Sequence, residues 1–227
     1  MAMRIGALGL ATAAMVMAAM PGCASIPAPL PSVQPSPAVT KSYASRNQWR
    51  PSEPVTQVVM SQKEKLSKRN QYLADYAANI GLSDPPDIKV VEIGYPETIA
   101  PKQVRCLQRA GFRVHLRPDG AGYQADTDEE PDDDYRAAQY RCAAAYFVDP
   151  RLSLPPTRAQ LRLVWEYLSD FVAPCLRLHG IQIADIPAAD DFVSSGGQGW
   201  DYPRDVGADV LAECNPRVPP RLLLGDR

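Results

Sequence analysis

The stretch Thr157 to Ile183, TRAQLRLVWEYLSDFVAPCLRLHGIQI, constrains the fold most, because it is the longest clean helical pattern in the chain and it carries a cysteine. Leu161, Val164, Leu168, Phe171, Cys175 and Leu178 recur at steps of three and four, which places them on one face of an α-helix. Trp165 and Val172 widen that stripe, and Arg162, Glu166 and Asp170 fall outside it. Thr157 with Gln160 forms a capping-box pattern behind Pro155 and Pro156, and Gly180 fits the left-handed position past the last turn. Pro174 interrupts the pattern: it removes an internal hydrogen bond and predicts a kink near Asp170. After Gly180, Ile181 and Ile183 alternate as a short strand would.

The other end of the chain gives an address. MAMR precedes an uncharged run, IGALGLATAAMVMAAM, and then Pro21, Gly22 and Cys23. A positive charge, a short apolar run and a small residue before the break describe a signal peptide over residues 1–22. The run is short for a membrane span, which needs about 20 apolar residues. Met20-Pro21-Gly22-Cys23 resembles a bacterial lipobox; Gly22 and Cys23 fit it, and Pro21 departs from it. The resemblance implies that Cys23 becomes the lipidated N-terminus, held at the membrane by two or more acyl chains. Residues 23–51, rich in proline and without an apolar period, then read as an extended tether. Trp49, near its end, either begins the fold or touches the bilayer surface.

The globular domain is expected over residues 52–219, with a tail at 220–227. Ser52 to Gly81 reads as a first helix whose middle, QKEKLSKRNQ, is polar all round and solvated. A coiled-coil arm is the sharper alternative there, but the heptad fails at Gln62 and Arg69. Ile88 to Tyr95 reads as a strand, Ala100 to Ala110 as a helix and Phe112 to Leu116 as a second strand. Pro118 to Pro131 reads as a turn and acidic loop, Asp132 to Phe147 as a helix, and Asp205 to Cys214 as a last short helix. The expected class is α+β: several helices packed on a short sheet and stapled by disulfides.

Five cysteines occur in the chain, and removing Cys23 from the count leaves an even set. In an oxidising compartment that set reads as two disulfides. An internal repeat orders them. Cys106 opens CLQRAGFRV and Cys175 opens CLRLHGIQI, and each is followed by a further cysteine, Cys142 and Cys214, in a short helix. If the two β-α-type halves are pseudo-repeats, the economical pairing is Cys106 with Cys142 and Cys175 with Cys214. Each closed loop is worth about 3–4 kcal/mol in the chain-entropy model. Four cysteines allow three pairings, and the sequence alone excludes neither of the other two.

CLQRAGF, YRCAAAYFVDP, QLRLVWEYLSDFVAPCLRLHGI and the late Trp200-Asp201-Tyr202-Pro203 stretch together resemble a group of actinobacterial secreted or lipid-anchored proteins of unknown function. The resemblance spans roughly residues 88–219. It implies an envelope location and the four-cysteine frame, and it brings no catalytic residues with it.

The search for chemistry returns little. The net charge of −2 is mild and mixed, which disfavours a nucleic-acid partner. No HExxH, GxSxG or SxxK pattern is present, so no catalytic residue, no metal ligand and no cofactor is assigned. His179 lies in the last turn of the central helix, where the dipole favours a cation, and His115 lies in the second expected strand. The acidic run Asp126, Asp128, Glu129, Glu130, Asp132, Asp133 and Asp134 lacks the calcium-loop glycine and the final glutamate, and reads as a solvated loop capping the next helix. Trp200 and Tyr202, in the glycine-rich GGQGWDYP, offer a stacking face for a sugar or wall polymer. Asp190, Asp191, Asp201 and Asp205 are carboxylates for a glycosidase-like alternative. The expected role is thus binding or accessory work at the cell envelope, with an envelope hydrolase or a structural spacer as alternatives. The expected partners are the membrane, through the lipid, and an envelope protein or wall polymer.

Overall fold

A computed structural model describes residues 45–126 and 132–226; the leader, Cys23, the tether as far as residue 44, and Asp128, Glu129 and Glu130 of the acidic run lie outside them. The elements in chain order are α1 (Gln62–Asn79), β1 (Glu92–Gly94), α2 (Pro96–Arg109), β2 (Val114–Leu116), β3 (Tyr123–Ala125), α3 (Asp133–Ala145) and β4 (Tyr146–Val148). They continue as α4 (Arg158–Tyr167), a π-helical turn (Leu168–Val172), α5 (Ala173–Leu178), α6 (Ala189–Ser194), α7 (Ala208–Glu213) and α8 (Pro220–Leu223). This is a small disulfide-bearing α+β domain.

The central helix starts where the sequence places it. The Thr157 hydroxyl accepts from the Gln160 backbone N–H at 3.2 Å, and the Gln160 side-chain Oε1 accepts from the Thr157 N–H at 2.8 Å. Gly180 ends it with φ 73°. In between, Pro174 acts in a way the pattern does not show. Its ring clashes with a carbonyl four residues back and it has no N–H to donate. The chain widens just before it: the Ala173 N–H donates to Leu168 O, five residues back. That extra residue moves the buried face by one position. Leu161, Leu168 and Phe171 are buried as expected, but Leu176 is fully buried while Leu178 is 86% exposed.

The main core surrounds this helix. Leu163, Tyr167, Leu168, Phe171, Val172 and Leu176 meet Phe192 of α6, Cys214, Val218 and Trp49. Trp49 is fully buried, edge-on to Tyr167 with ring centroids 5.0 Å apart. The fold therefore begins within the expected tether, with a 3-10 turn at Arg46–Gln48. It also includes the expected tail. Leu224 is fully buried, and its carbonyl accepts from the Val58 N–H at 2.9 Å.

The first helix starts ten residues later than Ser52. Ser61 and Glu64 form a reciprocal capping box, and residues 51–60, with Pro54 and several β-branched residues, run without helix or strand. Its middle is not wholly solvated. Arg69 is buried and donates to the carbonyls of Ala144 and Ile88. Beyond it, Leu73 and Ala77 pack on Tyr140 and Ala144 of α3, so this helix belongs to the domain rather than to a projecting arm.

The strands are shorter than expected, and their partners are strands the sequence reading missed. β1 runs parallel to β4, with Ile93 opposite Phe147, and β4 occupies what read as the end of a helix. β2 pairs antiparallel with β3, with His115 opposite Gln124, inside what read as a turn and loop. The strand expected at Ile181–Ile183 does not form; both isoleucines are half-buried against the main core.

Both disulfides follow the within-half pairing. Cys106–Cys142 ties α2 to α3 with Cα atoms 5.8 Å apart, and Cys175–Cys214 ties α5 to the end of α7 at 5.5 Å. Such staples indicate an oxidising, extracytoplasmic environment.

Candidate functional site

A cluster of charge lies where four distant parts of the chain meet. Asp149 caps the turn after β4, its carboxylate accepting from the Arg151 N–H. The same carboxylate pairs with the Lys65 ammonium of α1 at 2.6 Å and with the Arg151 guanidinium at 2.9 Å. Arg151 also grips Asp226 with two parallel bonds, Nη1 to Oδ1 at 2.9 Å and Nη2 to Oδ2 at 2.7 Å, and its Nη1 reaches Val58 O at 2.9 Å. Asp226 accepts further from the Tyr95 hydroxyl and, at 3.1 Å, from the Gln57 amide.

Burial alone would raise the Asp226 pKa, but the bonds from Arg151, Tyr95 and Gln57 outweigh it and hold the carboxyl down to about 2. Asp149 is held low by the same balance, burial opposed by Arg151 and Lys65. The Tyr95 hydroxyl is raised by burial and by donation to Asp226. Arg151 is raised by its bond to Asp226, against burial. Every charge in the cluster is matched by another. It holds no spare base and no activated nucleophile, so its chemistry is that of a lock that fixes the C-terminal segment to residues 57–58, 95 and 151.

The lock forms one wall of a groove of about 830 Å³, lined by Pro51, Pro54, Val55, Thr56, Gln57, Leu222, Gly225 and Asp226. Gly225 is required there: its φ is 66°, and a Cβ would meet Val55 O at 2.4 Å. Pro54 and Val55 also line a smaller groove of about 430 Å³, bounded by Ser52, Arg162, Trp165, Glu166 and Asp170 among others. Glu166 accepts there from the Ser52 N–H at 2.7 Å and from its hydroxyl at 3.0 Å. The two grooves share the Pro54–Val55 segment as a common wall.

Trp200 and Tyr202 lie elsewhere. Their rings meet edge to face with centroids 6.3 Å apart and are half-buried against the main core. The Trp200 indole N–H donates to Ala184 O at 3.1 Å, and burial raises the Tyr202 hydroxyl. Asp190, Asp191, Asp201 and Asp205 are all exposed, and Asp190 pairs with Arg162 at 2.8 Å. That outward arrangement lends the hydrolase alternative no support. His115 contacts Asp126 across the β2–β3 ladder. His179 stands at the C-cap of α5, and its Nε2 is 3.1 Å from the Glu213 carboxylate of α7. Cys106, Cys142, Cys175 and Cys214 are all engaged as staples, and Cys23 is outside the described residues.

The sequence reading missed the whole lock. Its members sit up to 169 residues apart, and no local pattern joins them. Comparison with protein-family models, curated proteins and solved structures returns no match.

Proposed function

We infer that this chain is an exported bacterial envelope protein, anchored through a lipidated Cys23, that works as a binding or accessory component and not as an enzyme. The observation that carries the reading is the pair of grooves that share Pro54 and Val55 in their walls. It is concave and mixed in polarity, and its charged wall is already saturated, which suits holding a partner and not transforming one. The disulfide frame supports export, and the lipobox-like Met20-Pro21-Gly22-Cys23 is what supports attachment through a lipid at Cys23. The resemblance to lipid-anchored four-cysteine proteins agrees with this location. The candidate binding face draws on residues 51–57 together with parts of α4 and the C-terminal segment.

Site-specific photocross-linking tests the reading. A photoreactive residue at Thr56, which is exposed on the groove wall, is expected to capture one reproducible envelope protein or wall fragment in intact cells. The same residue at exposed Val91, away from both grooves, should capture nothing in common with it. Identical capture patterns at the two positions would remove the grooves from the account.

A further inference from the structure

The Cys175–Cys214 disulfide has a neighbour that the Cys106–Cys142 disulfide lacks. One ligand atom each from Cys175, His179 and Cys214 lie within 4.8 Å of one another, and among the described residues this is the one such group of three metal-ligating side chains. Cys175 and His179 are four apart on one helix, so they project from the same face, one turn from each other. Cys214 arrives from the end of α7, and the residue before it, Glu213, holds the His179 ring through Nε2. A carboxylate on one ring nitrogen is the arrangement that orients a histidine towards a metal at the other.

The Cys-Leu segment of the first half offers a comparison for the histidine. Ala110 stands in the first half where His179 stands in the second: CLQRAG against CLRLHG. Both residues cap their helices in the same conformation, φ −80° and ψ 0° for Ala110 and φ −84° and ψ 9° for His179. Both are followed by a left-handed glycine, Gly111 and Gly180. The same junction forms with a methyl side chain at Ala110, so the cap itself does not require the imidazole.

We propose that Cys175, His179 and Cys214 form a redox-gated site for a thiophilic divalent cation of the zinc class, closed as the disulfide and opened by reduction. A dithiol reductant gives two electrons and two protons to the disulfide and is itself oxidised to a disulfide; Cys175 and Cys214 become thiols. The cation then binds both sulfurs as thiolates, releasing the two protons to solvent, and takes the His179 nitrogen as its third ligand. Tetrahedral geometry with metal–sulfur bonds of about 2.3 Å sets the sulfurs about 3.8 Å apart, within reach of side-chain rotation from the bonded state. Cys214 is fully buried and Cys175 half-buried, so Cys175 is the sulfur the reductant attacks. A fourth position is left for water or a ligand.

The test uses the whole exported chain, reduced with a phosphine and freed of it without oxygen, then titrated with cobalt(II) and, in competition, zinc(II). One equivalent is expected to bind, with thiolate-to-cobalt charge-transfer absorption and the intense visible bands of a tetrahedral site. His179→Ala, which keeps both disulfides and copies Ala110, should weaken binding by at least about tenfold, and Glu213→Gln by about tenfold through loss of ring orientation. Alkylation with zinc present should spare Cys175 and Cys214 and label Cys106 and Cys142. Absence of the cobalt bands, affinity unchanged in His179→Ala, equal labelling of the two pairs, or loss of helical signal on reduction even with zinc present would each overturn the proposal.

Discussion

Replacing Arg151 with methionine tests the lock most severely. The side chain is 10% exposed and is the common partner of Asp149 and Asp226, whose side chains are 4% and 13% exposed. Methionine keeps much of the length and removes every charge-assisted bond. Taking one partner from a buried ion pair costs about 3–5 kcal/mol, because the other charge is left in a poor solvent. Here Lys65 remains on Asp149, and Tyr95 and Gln57 remain on Asp226, which places the expected loss at the lower end, about 3 kcal/mol. For a domain of this size that is a fall in Tm of about 6–12 °C.

The assay is thermal and urea unfolding of the oxidised protein at neutral pH, repeated in acid. The Asp226 pKa is about 2 in the folded protein, below its unfolded value of about 3.9. Its contribution is therefore complete above about pH 4 and lost as pH falls through about 2, and solvent screening leaves it near 1–2 kcal/mol. In Arg151→Met the carboxyl returns towards its ordinary range, so the acid-dependent part of the loss should shrink. A neutral-pH loss under about 1 kcal/mol, with the acid profile unchanged, would show that the C-terminal segment is not held by this cluster.

Three further predictions follow from the packing. Leu176→Ala should cost about 2–5 kcal/mol and Leu178→Ala under about 0.5, as read by urea unfolding; equal effects would contradict the face shift made by the π-helical turn. Gly225→Ala should cost more than about 1 kcal/mol, from both its positive φ and the close approach of Val55 O, with the melting temperature as readout and an unchanged value as the contrary result. Replacing Cys106 and Cys142 together by serine should cost about 4 kcal/mol for a closure spanning 36 residues, measured by denaturant unfolding with Cys175–Cys214 intact.

What the sequence made legible was local. The Thr157 capping box, the Gly180 stop and the within-half cysteine pairing are each encoded within a few residues or in the repeated Cys-Leu motif, and each appears in the structure. Pro174 was visible, but the widened turn before it was not: the spacing of apolar residues does not encode the extra residue, and Leu176 is buried where Leu178 was expected. β4 was hidden because YFV continues an alanine-rich helix without a break and is drawn into a strand by pairing with β1, more than 50 residues earlier in the chain. Trp49 does begin the fold, the first of the two readings its position allows, whereas Leu224 lies in the expected tail, whose proline-rich surroundings read as loose chain, and is fixed by its side chain entering the core. The lock and the grooves depend on contacts between residues 51–58, 95, 149–151 and 222–226, which no pattern along the chain brings together.

Mass spectrometry of the native protein from membranes, digested without reduction, tests the central claim of an anchored, disulfide-stapled envelope protein most directly. The account predicts an N-terminal peptide that begins at an acylated Cys23, together with linked peptides joining Cys106 to Cys142 and Cys175 to Cys214. An unmodified N-terminus, whether at Met1 or beyond Cys23, with the four cysteines free would contradict it.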